Sequence, residues 1–176
     1  MWDNGHMKNI ILIGMSGAGK STLGVLLAKA LNYDFVDTDL LIQQQEGRLL
    51  QEIIQEKGID YFKKIEEDVI SHIHLQQTII ATGGSVVYAT EGMRHLKRIG
   101  KVIYIAVDFQ EIQKRIQNIH TRGIIMEEHQ SLQDVYNERI KLYENYADVI
   151  VNIKEQTIEE TVSLLVELLE KKENND

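Results

Sequence analysis

The chain has 176 residues, 43% of them hydrophobic and 26% charged, which is ordinary for a soluble globular protein and enough for one domain with a real core. Its formal net charge of -8 argues against a general nucleic-acid binder, and no apolar run has the length needed to span a bilayer, so neither nucleic acid nor membrane is expected as a partner. The absence of cysteine excludes disulfides, thiolate metal sites and cysteine nucleophiles, and points to a reducing, cytoplasmic setting.

The first residues, MWDNGHMKNIILIG, lack the basic region and long apolar region of a signal peptide. Met7 stands just before the first apolar run, so residues 1–6 are read as a remnant of expression and the domain as residues 7–176. Short apolar runs predict strands at 9–14, 33–37, 78–82, 101–107 and 148–153, each with the composition of a strand buried on both faces. Helical spacing of apolar residues marks KSTLGVLLAKALN (20–32). The stretch 49–75 reads as two helices broken near Gly58. DFQEIQKRIQNIH (108–120) and LQDVYNERIKLYENYA (132–147) are amphipathic. A last helix starts at TIEE, where Thr157 and Glu160 fit a capping box. Alternating strands and helices predict an α/β fold with a parallel sheet wrapped by helices. Proline is absent and no linker composition appears, so a single domain is expected.

The segment GMSGAGKS, residues 14–21, matches G-x-x-x-x-G-K-[ST] and lies between an apolar strand and a helix, where the motif has to lie. Gly14, Gly17 and Gly19 let the backbone curl so that N–H groups point inward, and the helix N-terminus adds its dipole. Lys20 places a point charge on the β- and γ-phosphates, and the Ser21 hydroxyl suits Mg²⁺. The motif specifies a nucleoside triphosphate but not the phosphate acceptor.

VDTDLL puts Asp37 and Asp39 at the end of the second strand, two residues apart and so facing the same way. Ligands gather at the carboxyl ends of parallel strands. One carboxylate can serve the Mg²⁺ shell and the other can accept the proton of an attacking hydroxyl. The competing reading is a capping pair at a helix start. Beside a phosphate loop the functional reading is preferred.

With GMSGAGKST, DTD (37–39), YFKKIEE (61–67), ATGGSVV (81–87), TRG (121–123) and ERIKLY (138–143) in place, the chain resembles the shikimate kinases from about residue 8 to its end. The resemblance implies a nucleoside-monophosphate-kinase-like, three-layer α/β/α fold. Its five-stranded parallel sheet would have the order 2-3-1-4-5, with a mobile lid at about 120–131. It implies transfer of the ATP γ-phosphate to the 3-hydroxyl of shikimate, a step of aromatic amino acid biosynthesis, with ATP and Mg²⁺ as cofactors, by a monomer. It assigns Gly14, Gly17, Ala18, Gly19, Lys20, Ser21 and Thr22 to the nucleotide, together with Arg115 stacked on adenine and Arg122 carried by the lid. Lys20, Asp39 and Arg122 would be catalytic, and Ser21 and Asp37 would serve the metal. Asp39, Lys63, Gly83, Gly84, Ser85 and Arg139 would face the acceptor.

Several positions depart from that family's pattern. Lys63 stands where a second carboxylate-gripping arginine is expected, and lysine lacks the planar fork that suits a carboxylate. The lid reads TRGIIM and the later helix ERIKLY, without the usual prolines, and the run of three glycines is GGS, ending at Ser85. All these changes fall on the acceptor and lid side. ATP use is therefore the firmer expectation. A kinase for a gluconate-like hydroxy acid and a nucleotide-binding regulatory protein without phosphotransfer are the alternatives.

Other polar residues carry weaker signals. HIH at 72–74, taken as helical, would diverge rather than share a metal. Tyr143 and Tyr146 read as packing residues. Glu66 either pairs with a basic residue of the site, as the resemblance suggests, or belongs to the solvated face of KKIEED.

Overall fold

The computed structural model describes residues 9–117, 124–127 and 129–173. Five strands form its sheet: β1 (Asn9–Ile13), β2 (Asp34–Asp37), β3 (Thr78–Ala81), β4 (Gly100–Val107) and β5 (Val149–Ile153). Their spatial order is β2-β3-β1-β4-β5 and every pairing is parallel, as the family resemblance implied. Every residue of β1 and β3 is buried, which is why both read as unbroken apolar runs without alternation.

The helices are α1 (Lys20–Leu31), α2 (Thr38–Glu46), α3 (Leu50–Lys57), α4 (Ile59–Ser71), α5 (Thr90–Ile99), α6 (Phe109–Gln117), α7 (Leu132–Tyr146) and α8 (Ile158–Glu173). A 3-10 turn covers Val86–Tyr88. α1 packs on β3 and α8, while α5 and α7 pack on β4. Gly58, at φ 84°, separates α3 from α4 where the sequence placed a break. The Thr157–Glu160 box forms: the Thr157 N–H donates to Glu160 at 2.8 Å and the Glu160 N–H to Thr157 Oγ1 at 3.2 Å.

Three local expectations need correction. β2 ends at Asp37, and Asp39 lies in the first turn of α2 rather than on the strand. Residues 72–74 lie beyond the end of α4, and the His74 and His95 rings meet edge to face at 5.9 Å. Neither α2 nor α5 was anticipated. α2 is rich in glutamine, and α5 carries Gly92 in its first turn, against Ile70.

The main core surrounds the sheet, and a second, smaller cluster of Ile42, Ile53, Phe62, Ile65 and Ile125 joins α2, α3 and α4 to the segment 124–127. That segment is the described part of the expected lid before His129; Arg122 lies outside the described residues. Among the described residues no helix is long and apolar enough to cross a membrane.

Candidate active site

The phosphate loop leaves β1 at Gly14 and enters α1 at Lys20. Gly14 has φ 145°, and a Cβ there would stand 2.6 Å from the Ile105 carbonyl oxygen, so the turn requires glycine. Lys20 is 4% exposed, and its ammonium donates to the carbonyls of Gly14 at 2.7 Å and Met15 at 2.8 Å. Ser21 Oγ donates to Asp37 Oδ2 at 2.6 Å. Arg115 reaches across from α6. Its Nη1 donates to the carbonyls of Gly17 and Ala18 at 3.3 Å, while its Nε holds Glu111 at 2.9 Å. Thr22 is exposed on α1 and does not line the cavity beside the loop.

Asp37 takes the capping role that the sequence allowed and also meets the phosphate loop. Its Oδ1 caps α2 by accepting the Asp39 N–H at 2.9 Å, and its Oδ2 accepts the Ser21 hydroxyl. The cap turns the chain into α2 so that Asp39, two residues on, also lines the cavity. Thr38, between them, is fully buried, and its Oγ1 accepts the Gly83 N–H at 3.3 Å.

β3 delivers Thr82, Gly83, Gly84 and Ser85 to the same edge of the sheet. A Cβ on Gly83 would lie 2.7 Å from Asp39 Oδ1 and 2.9 Å from Glu66 Oε1. One on Gly84 would lie 2.7 Å from Ser16 Oγ and 2.9 Å from the Ser16 nitrogen. Bare backbone therefore lets the loop after β3 touch the phosphate loop. Ser85 is 5% exposed, lines the cavity, and donates its hydroxyl to Glu66 Oε2 at 2.7 Å.

α7 supplies Arg139 and, one turn later, Tyr143. Arg139 is 1% exposed; its Nη2 donates to the Ile125 carbonyl at 2.6 Å and its guanidinium lies 5.4 Å from the centre of the Tyr88 ring. Its Nε has no hydrogen-bond partner among the described residues. Tyr143 stacks on Tyr104 and donates its hydroxyl to the Gly84 carbonyl at 2.5 Å. Burial pushes the Tyr143 phenol well above its usual range, so it stays a donor. Lys63 does not line the cavity: its ammonium lies 3.6 Å from the Glu127 carboxylate, with both side chains partly or mostly exposed.

These groups meet around a cavity of about 320 Å³. Ser16, Lys20, Ser21 and Asp37 line its phosphate end. Asp39, Gly83, Gly84, Ser85 and Arg139 line the rest, with an apolar wall that includes Leu50, Ile54, Phe62 and Ile125. Glu66 stands behind this wall, 1% exposed, and loss of solvation pushes its carboxyl up to about 7. Sequence reasoning missed the apolar wall, Thr38 and the role of Tyr143. A signal existed for Tyr143, which follows Arg139 by four residues on one helix and so shares its face.

A phosphate loop joined through one cavity to a carboxylate and a guanidinium, at the carboxyl edge of this sheet, defines a P-loop phosphotransferase for a small hydroxylated acceptor. The shikimate kinase family model matches residues 16–170, and the chain belongs to that family. Shikimate kinases of Clostridium botulinum and Alkaliphilus oremlandii are 37% and 33% identical to it, over 83% and 91% of this chain and 88% and 98% of theirs. A shikimate kinase from Acinetobacter baumannii, in complex with shikimate, superposes with TM-score 0.87 at 25% identity over 94% of each chain. The enzyme from Aquifex aeolicus gives 0.77 at 30% identity, covering 96% of this chain and 99% of that one. A thymidylate kinase from Candida albicans shares the fold alone, at 15% identity and TM-score 0.58.

Proposed function

We propose that this protein, as one domain over residues 7–176, transfers the γ-phosphoryl group of ATP to the 3-hydroxyl of shikimate. The observation that carries the reading is the single cavity in which Lys20 and Ser21 at one end share space with Asp39 and Arg139. Arg139 holds the acceptor carboxylate with a guanidinium that is already desolvated and fixed by the Ile125 carbonyl. Asp39 takes the proton of the attacking hydroxyl as the new O–P bond forms and the bond to the β-phosphate oxygen breaks. Lys20 stabilises the charge on the transferred group, and Arg122 joins it from the lid. Arg115, already against the phosphate loop, bounds the adenine side.

The donor set beside the loop fits Mg²⁺: a hydroxyl and a carboxylate, Ser21 and Asp37, bring hard oxygen atoms together at 2.6 Å. Bound there, the ion would neutralise phosphate charge. Coupled ADP release with shikimate and Mg·ATP tests the assignment, run beside gluconate and other hydroxy acids. Turnover with shikimate far above the ATP-only blank is expected. Turnover only with another acceptor, or with none, would defeat the shikimate assignment.

A further inference from the structure

Glu66 is a buried carboxylate with an incomplete set of partners. Its Oε2 accepts the Ser85 hydroxyl, whereas its Oε1 has no hydrogen-bond partner among the described residues. A carboxylate kept this dry is costly unless the fold uses it. Its surroundings suggest the use. Glu66 Oε1 and Asp39 Oδ1 both lie within 3 Å of the point where a Gly83 side chain would begin. Two carboxylates, one from α4 and one from α2, therefore close on the same bare backbone atom.

Ser85 completes the arrangement. It ends the glycine run and opens the 3-10 turn, its carbonyl accepting the Tyr88 N–H at 2.9 Å. Its hydroxyl proton goes to Glu66 rather than to the cavity it lines. We propose that Ser85 and Glu66 are positioning residues for the acceptor, their hydrogen bond locking the Gly83–Ser85 backbone against Asp39. The inference rests on reading this cavity as the acceptor site.

The pair also makes acceptor binding sensitive to pH. The groups facing Glu66 are Ser85 from the loop after β3, Asp39 from α2 and Arg139 from α7, while Lys63 on α4 turns to Glu127. Desolvation raises its proton affinity most; the Ser85 hydrogen bond lowers it, Asp39 raises it and Arg139 lowers it. The carboxyl sits at about 7, so it gains its charge as pH rises through neutrality. Once charged, it competes with an anionic acceptor for the field of Arg139. Acceptor KM therefore rises above neutral pH.

Steady-state kinetics on the full chain with shikimate and Mg·ATP, from pH 6 to pH 8.5, test this. Ser85→Ala and Ser85→Gly should each raise acceptor KM about 5- to 20-fold, the loss of one buried hydrogen bond, with ATP KM changed less than about twofold. Glu66→Gln should flatten the rise of acceptor KM with pH. An acceptor KM within twofold of the parent in both Ser85 variants would overturn the proposal, as would an unaltered pH profile in Glu66→Gln. If the parent itself fails to phosphorylate shikimate, the functional assignment falls separately, and amide hydrogen exchange then decides. Residues 83–88 must exchange at least about tenfold faster in Ser85→Ala, with Mg·ATP affinity unchanged. Equal exchange would overturn the positioning role.

Discussion

Glu66→Gln should make the folded protein more stable in mild alkali, and the size of the effect follows from where the carboxyl sits. An exposed glutamate has an ordinary value near 4.5, and burial carries Glu66 to about 7. The folded chain thus holds a proton that the unfolded chain has released between those two values. Stability falls with pH wherever the native state binds more protons. Relative to the charged unfolded side chain, the contribution of Glu66 is fully present below about 4.5 and is lost as pH rises through about 7. At about 1.4 kcal/mol per pH unit the whole effect is about 3 kcal/mol, most of it between pH 5 and pH 8. Glutamine carries no charge to desolvate, and its carbonyl can still accept the Ser85 hydroxyl. Urea titrations of parent and variant at pH 5, 6, 7 and 8 measure the difference directly, since every other titrating group is common to both. The variant should gain about 2–3 kcal/mol on the parent across that range, or about 5–10 °C in Tm. Parallel stability profiles would refute the burial of a titrating carboxyl at this position.

Asp39→Asn should leave ATP binding nearly intact and reduce turnover by about 100-fold or more, read by coupled assay and nucleotide titration; near-normal turnover would remove Asp39 from proton transfer. Tyr143→Phe deprives the buried Gly84 carbonyl of its donor and should cost about 1–3 kcal/mol in urea unfolding; an unshifted midpoint would show that the bond adds nothing. Lys63→Ala should change acceptor KM by less than about threefold, because an exposed pair such as Lys63–Glu127 is worth about 0–1 kcal/mol and the ammonium lies outside the cavity wall. A tenfold rise in KM would return Lys63 to the acceptor.

The legible parts of this protein are those whose geometry is local. Residues 14–21 carry their own turn, charge and hydroxyl, so the phosphate loop could be read without knowing what lay across from it. Strand limits fell within a residue or so of the observed ones because buried parallel strands are short apolar runs between polar ends. Glu66 was harder. KKIEED looks solvated, yet Phe62, Ile65, Val69 and Ile70 place residue 66 inside the apolar stripe of α4, so its burial was encoded in helical phase. Its partner was not, since Ser85 is 19 positions away and meets it only through the packing of α4 beside the loop after β3. The same holds for Lys63: its place in the family pattern suggested an acceptor contact, while its direction on α4 sends it to Glu127. Asp37 takes the capping role, and capping α2 is what brings Asp39 to the cavity.

The contact at Gly84 links the two halves of the site. Ser16 of the phosphate loop presses on it from one side, and Arg139 Nη1 lies 3.2 Å from where its Cβ would be. Its carbonyl is held by Tyr143, whose hydroxyl oxygen also lies 3.8 Å from the sulfur of Met15 in the phosphate loop. Arg139 and Tyr143 share one face of α7, so a single rigid element both lines the cavity and fixes the backbone that meets the phosphate loop. In-line transfer needs the reacting oxygen and phosphorus near contact distance, and about 1 Å of misplacement costs on the order of 100-fold. The spacing between the two loops is set by van der Waals contact across a glycine and by a buried phenol, both already formed in the free protein. The distance between the phosphate loop and the loop after β3 is therefore a property of the core.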